Sequence, residues 1–77
     1  GMSMCANKCK GIRAAVCGDH FSAEFTRKHN NANVLCLGAH VIGAGVAMQL
    51  VDIFLTTEFE GGRHEKRIEM MMELENK

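Results

Sequence analysis

The chain has 77 residues, 47% of them hydrophobic and 23% charged, fractions that fit a folded domain and argue against disorder. At this length it is one domain or part of one, and it buries only about 60% of the surface its unfolded form exposes. Nine Lys and Arg balance nine Asp and Glu, so no basic excess points to nucleic acid or an anionic membrane as partner. No apolar run approaches the ~18 residues of a membrane span, and the first residues lack the apolar segment of a secretory signal.

The chain opens Gly1-Met2-Ser3-Met4, and a Gly ahead of a Met resembles the scar of a protease cleavage. Ser3 to Lys8 reads as the middle of a helix with neither a cap nor a strand before it, so the chain is expected to begin inside a fold. Ile12 to Cys17 is a short apolar run closed by Gly18-Asp19, which predicts a strand buried on both faces. Asp19 or Ser22 can cap the helix that follows. Phe21 and Phe25 share one side of it, and His29-Asn30-Asn31 should end it.

Asn33 to Gly38 predicts a second buried strand. Gly43-Ala44-Gly45 breaks the chain, and a helix follows with Val46, Leu50, Ile53 and Phe54 on one stripe. Glu60-Gly61-Gly62 is a turn, and a last helix runs from about His64 to Glu75 on a narrow stripe of Ile68, Met71 and Met72. The order helix, strand, helix, strand, helix, helix makes residues 12–37 a βαβ unit with parallel strands and a right-handed crossover. Two strands do not make a stable sheet alone, so further strands or a partner chain should complete this one.

Cysteines stand at 5, 9, 17 and 36. Their spacings do not repeat, no C-x-x-C is present, and Cys17 and Cys36 sit in apolar runs where free Cys packs as a small hydrophobe. A reduced, cytoplasmic protein is the reading. Only Cys5 and Cys9 approach the spacing of a structural zinc pair, with no second pair to match, so no metal site is expected.

In open α/β sheets ligands bind beyond the carboxyl ends of the strands, where this chain places His20 and His40. His29 and Asn30 lie at the other edge, because the crossover helix runs antiparallel to its strands. If that pair does chemistry, it serves a neighbouring subunit. A helix C-terminus attracts a cationic imidazole, which suits a general acid. Arg63 and Arg67 stand four apart at the start of the last helix, and two guanidinium forks on one face match a phosphate dianion. An ordinary solvated face, with Arg63 paired to Glu60, is the plain alternative.

Several stretches together resemble the ribose-5-phosphate isomerase type B family, which includes galactose-6-phosphate isomerase subunits. They are Ala6-Asn7-Lys8, Lys10 to Ala15, Arg27-Lys28-His29-Asn30-Asn31-Ala32-Asn33-Val34-Leu35, Leu37-Gly38-Ala39, and Phe54-Leu55-Thr56-Thr57-Glu58-Phe59-Glu60-Gly61-Gly62-Arg63-His64. The resemblance covers nearly the whole chain, as one partial domain over residues 1–77. It implies the C-terminal half of a Rossmann-like three-layer α/β fold with a parallel sheet, working as a dimer or larger homo-oligomer. It implies aldose–ketose isomerisation of a sugar phosphate through an enediol, with no metal or other cofactor. On the matching positions His29 is the ring-opening acid, Asn30 binds substrate and the enediol oxygens, and Arg63 and Arg67 hold the phosphate. The family's His-Asn pair reaches into the partner's site.

The departures are as informative. The family's catalytic base is usually a Cys in a Cys-Gly-Thr-Gly-Ile-Gly loop, and Gly1 falls where the last Gly of that loop would be. None of the four cysteines occupies the base position. His40 stands where the family commonly has an Arg, so its substrate contact is weaker in charge. Gly43-Ala44 replaces a common Gly-Pro. The expectation is a sugar-phosphate isomerase portion, on ribose 5-phosphate or a six-carbon phosphate such as galactose 6-phosphate, that is inactive alone. The alternative is a non-catalytic assembly module that pairs with a full-length isomerase subunit.

Overall fold

The computed structural model describes residues 1–38 and 41–76. Its elements are α1 (Met2–Ala6), β1 (Ala14–Val16), α2 (His20–Asn30), β2 (Val34–Cys36), α3 (Ala44–Thr56) and α4 (Arg63–Glu73), which tightens into a 3₁₀ turn at Leu74–Asn76. The predicted element order holds, with both strands shorter than expected. β1 and β2 pair in parallel, with Ala14 opposite Val34, Ala15 opposite Leu35 and Val16 opposite Cys36.

Side chains alternate across the pleat. Ala15 and Leu35 face a core built on Cys17, Ala23 of α2 and Leu50 of α3, with Leu37, Ile42 and Ile53 packed around it. Leu50 is fully buried, whereas Val46 on the same predicted stripe is 40% exposed. In α4 the stripe narrows to Ile68, which is buried, and Met72, which is half-buried.

The expectation that the first strand is buried on both faces is corrected: Val16 is 64% exposed. The two-stranded sheet leaves a free edge on β1 and exposes Val16, while Ala14, Val34 and Cys36 on the same face stay half-buried. Part of that edge is closed by a side chain. The Asn7 amide donates to the Ala14 carbonyl at 2.9 Å and accepts from the Ala14 N–H at 2.7 Å, in the manner of a short bridging strand. All four cysteines are free thiols. Among the described residues no helix is long and apolar enough to cross a membrane.

Candidate functional site at the carboxyl end of the crossover helix

α2 is sealed at both ends. At its start Asp19 accepts the Ser22 N–H at 2.7 Å while the Asp19 N–H points at the Ser22 hydroxyl at 3.4 Å, so the two candidate caps form one reciprocal box. The Ser22 N–H, then the Ser22 hydroxyl, hold the Asp19 carboxyl below its ordinary range. His20 follows, exposed, with Nε2 2.6 Å from the Gln49 side chain.

At its end Asn31 takes the left-handed conformation with φ 47°, and its N–H returns to the Arg27 carbonyl. Asn tolerates that conformation better than most residues. Long-range bonds fix the turn. Arg13 places two guanidinium N–H groups on the Asn31 carbonyl at 3.0 and 2.9 Å. Arg27 reaches the Asn31 side chain at 2.8 Å and the Ala32 carbonyl at 2.7 Å, and lies 5.6 Å from the Phe54 ring centre. Asn33 accepts the Arg13 N–H at 2.8 Å and donates to the Gly11 carbonyl at 2.8 Å. Much of the Arg27–Leu35 stretch therefore holds the helix end rather than doing chemistry.

His29 projects from this end. Its Nε2 lies 3.4 Å from Oε1 of Glu60. Its ring stacks on His64 with centres 4.2 Å apart and planes 13° from parallel, and Phe25 meets it edge-on at 4.8 Å. The Glu60 N–H donates to the Lys28 carbonyl at 3.0 Å, which ties the turn before α4 to α2. Gly61 and Gly62 take φ of 73° and 59° there. Gly62, with ψ −130°, occupies backbone space closed to other residues. Partial desolvation, then the neighbouring His29 and Arg63, lower the pKa of His64 below its ordinary value, and Glu60 opposes them.

His29 and Asn30 line a cleft of about 360 Å³ with Ala15, Val16, Cys17 and Phe25. Arg63 lines a different depression with Gly62 and Lys66. The fold thus brings the first turn of α4 to His29, but His64 makes the contact, while Arg63 and Arg67 stay exposed. The alternative pairing of Arg63 with Glu60 is not among the ion pairs of the described residues; Glu60 faces His29 instead. His40 lies outside the described residues. Cys17 sits beside the cleft, and burial pushes its thiol up, which keeps it neutral and a poor base.

From the sequence His64 has no assigned role, and Glu60 only a place in the turn and a pairing with Arg63. Their signal was present as two polar residues four apart across a Gly-Gly turn. Local Cys and His spacing does not show that His29, Glu60 and His64 bring their ligand atoms within 4.8 Å of one another, because His29 comes from α2 and the other two from the turn into α4.

Residues 1–71 match the Ribose/Galactose Isomerase family. The chain is 44% identical over all 77 residues to ribose-5-phosphate isomerase B of Escherichia coli (strain K12), of which it covers 52%. Ribose-5-phosphate isomerase B of Clostridium thermocellum superposes with a TM-score of 0.95 at 47% identity, over 99% of this chain and 51% of that one. The Mycoplasma genitalium enzyme with bound ribulose-5-phosphate gives 0.97 at 42% identity, over 100% of this chain and 51% of that one. The chain spans about half the length of the curated relatives it matches. Sequence stretches, parallel βαβ architecture and superposition agree, and the chain belongs to the ribose/galactose isomerase family.

Proposed function

We propose that this chain supplies the acid and the phosphate-holding face of a sugar-phosphate aldose–ketose isomerase site, acting on ribose 5-phosphate or a close homologue such as galactose 6-phosphate. The observation that carries the reading is His29, presented at a rigidly tied helix end and paired with Glu60. His29 gives a proton to the ring oxygen as the sugar ring opens. Asn30, beside it in the cleft, binds the oxygens of the enediol. Arg63 and Arg67 hold the phosphate, and His40 hydrogen-bonds a substrate oxygen. The reaction is proton transfer between C1 and C2 and needs no cofactor.

The base is not supplied by these residues. A positioned base typically contributes about 10²–10⁴-fold, so the 77-residue chain should be inactive alone. The test is turnover of ribose 5-phosphate by the purified chain; family-like rates would refute inactivity. Mixing it with a full-length isomerase subunit whose matching His is substituted tests donation of His29, and restored activity is the expected result.

A second reading, a non-catalytic assembly module, is favoured by the exposed Val16 on β1 and Phe21 at 68% exposure. Free strand edges and apolar patches recruit partners. Self-association into a homo-oligomer belongs to both readings, and a monodisperse monomer in light scattering would contradict it. A reducing, cytoplasmic setting fits the four free thiols.

A further inference from the structure

We propose that His29, Glu60 and His64 form a binding site for a borderline divalent transition metal such as Zn²⁺ or Co²⁺. Two imidazoles and one carboxylate are the donor set of three-ligand zinc sites, which leave a fourth position open. The ligand atoms lie within 4.8 Å of one another. In a tetrahedral site with bonds of about 2.0–2.2 Å the donors stand roughly 3.3–3.6 Å apart. The His29–Glu60 pair meets that spacing at 3.4 Å, whereas the His29 and His64 rings lie stacked 13° from parallel, so closure requires the His64 side chain to leave the stack and turn a nitrogen toward the other two.

The backbone holds the three together without an ion. Glu60 is bonded to Lys28 through its N–H, and the His64 N–H donates to the Gly61 carbonyl at 3.2 Å. His29 and His64 are half-buried and Glu60 is exposed, so an ion has access from solvent. Arg63 and Arg67 lower the cation affinity of this corner, and Glu60 offsets them. Hard ions such as Mg²⁺ prefer oxygen donors and should not compete. Occupancy would take the His29 nitrogen that faces Glu60. The binding itself does not rest on the isomerase reading.

The test is titration of the full chain with Co²⁺, alone and with Cys5→Ser and Cys9→Ser, because exposed thiols also bind such ions. One equivalent should give visible d–d bands without a thiolate-to-cobalt charge-transfer band, unchanged in the cysteine variants. Glu60→Gln and His64→Gln should each weaken binding about tenfold or more, with far-ultraviolet circular dichroism unaltered. His20→Gln should leave it unchanged. No binding, bands that vanish with the cysteines, or undiminished affinity in both Glu60→Gln and His64→Gln would overturn the proposal.

Discussion

The two ends of α2 each carry a histidine, yet they are built by different means. At the amino end Asp19 and Ser22, three residues apart, close the helix on themselves, and among the described residues the His20 ring has one hydrogen bond, with Gln49. At the carboxyl end the turn is held by Arg13, Arg27 and Asn33, from positions up to 20 residues apart, and His29 meets Phe25, Glu60 and His64. The local end is self-sufficient. The long-range end is rigid only when the whole unit is folded, and it is the end that gives its histidine several defined neighbours.

The contrast is most sharply broken at Arg27. Arg27→Ala strips the bonds to Asn31 and Ala32 and should cost about 2–3 kcal/mol in urea unfolding. Arg27→Lys should recover little, because one ammonium does not replace a planar fork. Gly62→Ala comes next. An added Cβ meets no atom within 4 Å, so its expected cost of about 1–3 kcal/mol is backbone strain alone. The NMR signals of the His29 and His64 rings should shift together in that variant.

At the other end Asp19→Ala should lower the melting temperature by roughly 4–8 °C, the size of a lost cap in a domain this small. Asp19→Asn should restore most of it. The Asp19 carboxyl is held below its ordinary value, chiefly by the Ser22 N–H. Its share of stability is therefore complete above the unfolded carboxylate range and is lost as pH falls through the lowered folded value. Acid titration of the Asn variant should lack that component. His20→Ala should change stability least, by no more than about 0.5 kcal/mol; a larger loss would mean that the amino end also depends on distant contacts.

Much of this division was legible in the residues. Asp19 and Ser22 as caps, the stop at His29-Asn30-Asn31 and the parallel pairing of two short strands follow from neighbours in sequence. The double-sided burial of the first strand did not hold, because apolar composition says that a run prefers burial, not which elements pack against it. Val16 shows the difference. Glu60 and His64 gained their places only in the folded molecule, since nothing local says that a turn 30 residues downstream returns to His29.

What the sequence alone determined is therefore periodic and local: the order of elements, the caps, the parallel βαβ unit and, through long matching stretches, the isomerase family. Those depend on interactions between residues three or four apart, or on the identity of a contiguous string. Only the tertiary structure decided which stretch residues hold and which face outward, and that His64 rather than Arg63 meets His29. Such contacts depend on how helix ends are brought together, through a left-handed Asn31, a Gly-Gly turn and the side chains of Arg13, Arg27 and Asn33 acting at a distance.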